Sequence, residues 1–582
     1  MIRRDKPKRP TRRAVVKHLV AGGIAASSGA AVAQTTPLST TTTTTTTTSL
    51  PTTATGAVSS SDVEAIARVL GHEYTDAERE MMRSGLASKR EVMTSLRKRT
   101  IPPDVEPAVR FDPRLPDTIV PDGRSSIAMS DAPPPSYGGD PASLAFASAA
   151  DLSRLIHAKE VTSLALTRMY LARLKRHGPA LLCVVNLAED RALEQAKRAD
   201  AELAAGKDRG PLHGIPYGAK DLLATKGIPT TWGASPYEKQ TFDEDAQVVR
   251  KLEEAGAVLV AKLSLGELAM GDVWFAGQTR NPWQPKRGSG GSSAGPASAT
   301  AAGLVGFSIG SETLGSIVNP CTTCGTTGLR PTYGRVSRRG AMPLAPTMDK
   351  IGPITRGVED CAMVFSAICG ADGVPFAYDP KRNLKSLRVG IDAMAFDVDA
   401  GHFKKDPAIR EVYAGAIEQI KSLAGGQLVP VKLPPAERYA GLASFIIACE
   451  SACSFSELVS SGRVRELKQQ EPGSWPNAFR VGSTLPAADY LRAMQVRTQL
   501  MREMADAMRD VDLYVTIPYV GATMAFTNLT GHPSLVTRCG MHDDRPRLIE
   551  FVGNLYREDA ILCLAQAFER QNTFHSIWPS VT

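Results

Sequence analysis

Outside its first 33 residues the 582-residue chain has almost no net charge. Arg3, Arg4, Lys6, Lys8, Arg9, Arg12, Arg13 and Lys17 face one acid, Asp5, so +7 of the total +8 falls in that leader and the remainder carries +1. A surface so balanced has no field with which to hold nucleic acid. No second cysteine pair with ligand spacing lies near Cys321-x-x-Cys324, so a four-ligand zinc site is not expected. Nine cysteines is an odd number, and Cys449 and Cys453 sit one helical turn apart. Buried or free thiols are expected, with a Cys321–Cys324 or other disulfide open to the chain in an oxidising compartment. The apolar part of the leader is too short and too glycine-rich to span a membrane. Thr40 to Thr48 has no apolar period to bury, which predicts a solvated linker over 34–60.

What is present is ordinary for a large globular protein, with 43% hydrophobic and 22% charged residues. Residues 1–33 read as an export signal. Arg12-Arg13 precedes a weak apolar stretch, and Ala31-Val32-Ala33 forms a cleavage site. This resembles a twin-arginine leader and implies an exported protein. Ser61-Asp62-Val63-Glu64 predicts a capping box opening a helix to Leu70. Thr75-Asp76-Ala77-Glu78 opens a second helix, and Glu91 to Lys98 forms a third. Prolines recur from Pro102 to Pro141, so residues 61–142 are expected to be a helical arm and an extended segment lying on the main domain. From Ser143 onward, helical and strand patterns alternate. Helices are expected over Ala149–His157, Ser163–His177, Ala188–Ala205 and Ala246–Ala255. Strands are expected over Ala257–Lys262, Leu387–Ile391, Leu428–Leu433 and Val511–Ile517. That alternation argues an α/β fold.

The densest information lies between Gly288 and Pro331. Glycine, serine, threonine and alanine dominate it, around a helical stretch (Ala294–Leu304) and an apolar strand (Leu304–Ile309). Glycines let backbone approach backbone or ligand closely, and serines there are nucleophile candidates once a base and oxyanion donors join them. Gly291-Ser292-Ser293-Ala294-Gly295 also fits the G-x-S-x-G elbow of α/β hydrolases. That alternative needs a preceding strand, and Asn281–Gly288 contains Pro and Gly instead. It also needs a later acid and a histidine, for which His532, His542 and His575 are available.

Gly290–Gly295, Gly310-Ser311-Glu312-Thr313-Leu314-Gly315-Ser316-Ile317 and Gly328–Ser337 together resemble the signature block of the amidase signature family. Gly214-Ile215-Pro216-Tyr217-Gly218-Ala219-Lys220-Asp221 resembles its lysine block. Lys220 and Ser292 lie 72 residues apart, Ser292 and Ser316 24 apart. The resemblance runs from about Ser143 to near the C-terminus. It implies a catalytic domain over 143–582 with a central mixed β-sheet flanked by helices. It also implies a Ser-cisSer-Lys triad: Ser316 as nucleophile, Ser292 as the bridging serine with a cis peptide bond, and Lys220 as base. Backbone N–H groups of Thr313, Leu314, Gly315 and Ser316 would form the oxyanion hole. Glu312, Leu314 and Val318 stand where the family pattern commonly has aspartate, glycine and arginine. The residues between Ala436 and Asp506, mostly helical, are where such enzymes vary their substrate surface. The expected reaction is amide hydrolysis through an acyl-serine. The same residues could serve carbamates or esters, or the glutaminase (A) subunit of a tRNA-dependent amidotransferase. No cofactor, metal, nucleic acid or stable membrane insertion is expected. The expected partner is a small-molecule amide, and assembly into a homo-oligomer stays open.

Overall fold

A computed structural model of the protein describes residues 57–97, 99, 125–397, 403–404 and 406–580. The leader, the threonine tract and the prolines between 102 and 124 lie outside the described residues.

Eleven strands form one sheet. In chain order they are β1 (Val184–Leu187), β2 (Pro216–Lys220), β3 (Val258–Leu263), β4 (Phe307–Glu312), β5 (Thr327–Arg330), β6 (Lys350–Thr355), β7 (Val389–Asp392), β8 (Val429–Val431), β9 (Leu513–Thr516), β10 (Ser534–His542) and β11 (Arg545–Gly553). Across the sheet they run β8-β7-β9-β11-β10-β5-β6-β4-β2-β3-β1. β2 is parallel to both β3 and β4, while β6 is antiparallel to β4. The sheet is therefore mixed, as expected. All of β2 and β3 is buried, which is why Val258–Leu263 reads as an apolar run without alternation. β10 and β11 form a hairpin that the sequence reading does not contain. Its turn residues Asp543 and Asp544 have φ of 49° and 53°, the left-handed pair of a tight hairpin turn. Asp-Asp lacks the glycine that normally advertises such a turn.

The expected arm differs in detail. Helix α1 (Ser60–Leu70) is capped by Ser59, whose hydroxyl accepts from Asp62 N–H, so the capping box starts two residues earlier than expected. Helix α2 (Asp76–Arg97) runs unbroken through what reads as two helices. Thr75 and Glu78 form its capping box. Val63, Ala67, Met82 and Leu86 bury themselves with Val481 of α5 (Trp475–Gly482). Glu78 sits under the same contact, bonded to Arg465 at 3.0 Å and to Arg480. Burial pushes this carboxyl up, but Arg465, the Thr75 N–H and Arg480 hold it down at about 2. Of the extended segment, Ser126–Ile127 pairs in parallel with Ala377–Tyr378.

All nine cysteines are free thiols, seven of them buried. Cys321 and Cys324 are both buried in helix α4 (Val318–Cys324) without a disulfide. Among the described residues no helix is long and apolar enough to cross a membrane.

Candidate active site

The site forms where β2 and β4 end side by side. Ala219 pairs with Ile309 in parallel register, so Lys220, the last residue of β2, comes beside Ser311 near the end of β4. The carboxyl ends of parallel strands are where open α/β sheets gather ligands. Helix α3 (Ala294–Ala301) packs against this end with Ser292 and Ser293 at its start.

Lys220 is fully buried. Its Nζ lies 2.8 Å from Ser292 Oγ, 3.0 Å from Ser293 Oγ and 2.9 Å from Ser311 Oγ, and donates to the Ser311 carbonyl at 3.3 Å. Every bonded partner is neutral. The neighbouring carboxylate is engaged elsewhere: Asp221 lies 2.8 Å from Lys262 Nζ and accepts from Thr231 N–H and hydroxyl at 2.8 and 2.5 Å. Burial without a bonded counter-ion penalises the ammonium form. It lowers the Lys220 pKa to about 7, against opposing contributions from the more distant Asp349 and Glu312.

Ser292 carries the cis peptide bond, between Gly291 and Ser292. Gly291 N–H donates to Asn319 Oδ1 at 2.9 Å, and Gly290 N–H to Asp272 Oδ2 at 3.1 Å. A Cβ on Gly291 would sit 1.8 Å from the Gly271 carbonyl oxygen, so no side chain fits there. Ser316 approaches from the other side, with its carbonyl accepting the Ser293 N–H at 3.1 Å. The structure thus brings the Lys220, Ser292 and Ser316 segments together. The Ser316 hydroxyl has no hydrogen bond to another described residue.

Glu312 shapes the turn that follows β4. Its Oε2 accepts the N–H groups of Ile317 and Val318 at 2.8 and 2.9 Å. Its Oε1 accepts from Arg330 at 2.7 Å and Asn528 at 2.8 Å. Burial pushes this carboxyl up, yet Arg330 and the N–H bonds hold it at about 2. Ile317 and Val318 N–H are therefore spoken for. The N–H groups of Leu314, Gly315 and Ser316 donate to no other described group. Gly315 has φ of 85°, and a Cβ there would meet Met524 Sδ at 2.7 Å. Leu314 is half-buried against an apolar cluster. Val318 is buried with Ile317, Cys321 and Ala301, so this departure from the family pattern fills core.

The elbow alternative gains one element and loses its chemistry. A strand, Gln284–Gly288, does precede Ser293, but it belongs to a separate two-stranded hairpin. Ser293 is fully buried, and its hydroxyl donates to the Ser311 carbonyl at 3.0 Å and accepts the Ser311 N–H at 3.1 Å. His532 bonds Thr530 and His542 bonds Asp406; neither they nor His575 touches Ser293. Three neighbours of the site escape sequence reading: Ser311, Asn319 and Asp349. Ser311 could have been found by its period-2 spacing from Ile309, but the other two have no local signal.

The profile of the Amidase family matches residues 165–562. The glutamyl-tRNA(Gln) amidotransferase (A) subunit of Heliobacterium modesticaldum is 34% identical, the match covering 74% of this chain and 98% of that protein. The native peptide amidase of Stenotrophomonas maltophilia has a similar structure, with a TM-score of 0.65 and 28% identity over 74% of this chain and 98% of its own. A 6-aminohexanoate cyclic dimer hydrolase, at 21% identity and a TM-score of 0.62 over 75% of this chain and 99% of its own, shares the fold. Sequence blocks, fold and relatives agree, and the chain belongs to the Amidase family, the amidase signature hydrolases that act on carbon–nitrogen bonds.

Proposed function

We propose that this protein hydrolyses a carboxylic amide through an acyl-enzyme on Ser316. The observation that carries the reading is the Lys220–Ser292 contact: a buried lysine nitrogen, poised near neutrality, 2.8 Å from a serine hydroxyl. A lysine can act as base only when neutral. In the first step Ser316 gives its proton to Ser292, which passes its own to Lys220. The Ser316 oxygen attacks the carbonyl carbon, and the resulting oxyanion faces the N–H groups of Thr313, Leu314, Gly315 and Ser316. The proton returns through Ser292 to the leaving nitrogen as the C–N bond breaks. Water then repeats the sequence against the acyl-serine and releases the acid. No metal or cofactor enters the scheme. The Arg12-Arg13 leader supports an exported protein.

The tests are an activity screen and a label. Purified protein is assayed on aliphatic amides, aryl amides, carbamates, esters and glutamine. Glutamine turnover would favour the second reading, which rests on relatives named as amidotransferase subunits. A fluorophosphonate should attach to Ser316 and fail to attach to Ser316→Ala. Ser292→Ala should label slowly. Lys220→Ala should lose about 10²–10⁴ in rate, recover partly at high pH, and lose little more when combined with Ser292→Ala, because such losses do not add. A label mapped to Ser293 overturns the proposal.

A further inference from the structure

Asp349 stands one residue before β6, and Thr313 one residue after β4. Lys350 and Glu312 are the register pair that closes the β4–β6 ladder, so Asp349 and Thr313 face each other where the sheet ends and the turn to Ser316 begins. The Thr313 hydroxyl donates to Asp349 Oδ1 at 2.6 Å. The other oxygen, Oδ2, accepts the N–H groups of Leu344 and Ala345 at 2.8 and 3.0 Å. One carboxylate thereby ties the turn after β4 to the loop before β6. Hydrogen bonds to an ionised group are about twice as strong as neutral ones, so the tie is a firm one.

The same carboxylate is placed to act on Lys220. Asp349 lines a cavity of about 210 Å³ together with Ser311 and Thr313. Ser311 is itself bonded to Lys220 Nζ. The other charged groups around Lys220 are already matched: Asp221 with Lys262, and Glu312 with Arg330. Around Asp349, Lys350 donates to the Met348 carbonyl and Arg338 to the Pro346 carbonyl. Neither is bonded to the carboxylate; burial pushes the Asp349 carboxyl up, while the Thr313 hydroxyl, the Leu344 and Ala345 N–H groups and the nearby Arg338 charge favour its ionised form. Of the charges that favour protonated Lys220, Asp349 contributes most, ahead of Glu312.

We infer that Asp349 is a positioning residue of this active site, holding the oxyanion turn through Thr313 and acting through space on Lys220. The inference rests on the proposed roles of Lys220 and Ser316. It predicts two separable effects. Asp349→Asn removes the charge, and kcat should fall by about tenfold or more, the weight of a charge-assisted hydrogen bond. Losing that charge also makes Lys220 easier to deprotonate, so the rising limb of kcat/KM against pH should move to lower pH. Thr313→Val removes the tie and keeps the charge. There kcat should fall while the limb stays in place.

The experiment measures both variants as full-length enzyme over a pH series, with circular dichroism and fluorophosphonate mapping alongside. A limb that moves in Asp349→Asn and stays in Thr313→Val bears the inference out. If Asp349→Asn does not fold, Thr313→Val decides by kcat: a loss supports the tie, and a kcat within twofold of the parent overturns it. If Asp349→Asn folds with an unmoved limb and kcat within twofold, the inference is wrong. If in either case the label still maps to Ser316, the catalytic assignment survives; a label elsewhere removes the assignment itself.

Discussion

Lys220 Nζ lies 2.8 Å from Ser292 Oγ, and no carboxylate is bonded to it. That pairing sets both the chemistry and its pH range. With a folded pKa near 7, kcat/KM should rise with pH through about 7 and flatten above. A limb near 10 would mean that Lys220 keeps the proton affinity of a solvated lysine.

The same group bears on stability. Lys220 titrates near 7 in the folded protein against 10.5 for an ordinary lysine. Between those values the unfolded chain holds a proton that the folded chain does not, so stability from this group rises with pH across about 7 to 10.5. Below 7 the full cost of the buried charge remains. Lys220→Met should therefore be inactive yet melt at a higher temperature than the parent at pH 6, with the gap closing at alkaline pH. An equal or lower Tm at pH 6 would refute this.

Glu312 carries the opposite sign. Its folded pKa near 2 lies below the ordinary 4.5. Its contribution is present above 4.5 and lost as pH falls toward 2. Glu312→Ala strands the Arg330 guanidinium in the core and should cost about 3–5 kcal/mol, read by denaturant unfolding at pH 7. A loss below 1 kcal/mol would show that water reaches Arg330.

The arm offers a test away from the site. Glu78 joins α2 to Arg465 and Arg480, and Arg480 is buried. Glu78→Ala leaves that arginine without its carboxylate and should expose the arm to limited proteolysis near 71–75, while Lys220 and its serines are left intact. Unchanged proteolysis would mean that the apolar contacts with Val481 suffice.

Export can be checked in cells. Arg12→Lys/Arg13→Lys should trap precursor inside, and mature protein should begin at Gln34. Unchanged export would remove the twin-arginine assignment.

Much of this was legible in the residues because local rules and tertiary demands agree there. Val258–Leu263 is a wholly buried strand and reads as one. The Lys220 and Ser316 blocks keep glycines where backbone must pass closely, as at Gly291 and Gly315, so their small-residue pattern carries the site. What was hidden depends on partners far away in sequence. The β10–β11 hairpin turns on two aspartates held at positive φ by the strands they join. Asp349 gains its place only when β6 docks on β4. The unbroken α2 reads as two helices because Gly85 and Ser88 weaken the local signal, and its packing on α5 overrides them.

The nine unpaired thiols have a practical corollary. No covalent cross-link contributes to this fold, and burial pushes the Cys183 and Cys321 thiols up to about 12, so their reactive thiolates are scarce. The buried thiols are accordingly sheltered from a change of redox potential, while Cys453 is the exposed one. A reducing cytosol and an oxidising exterior would leave that buried core chemically the same, so a core folded on one side of a membrane would need no new cross-link on the other.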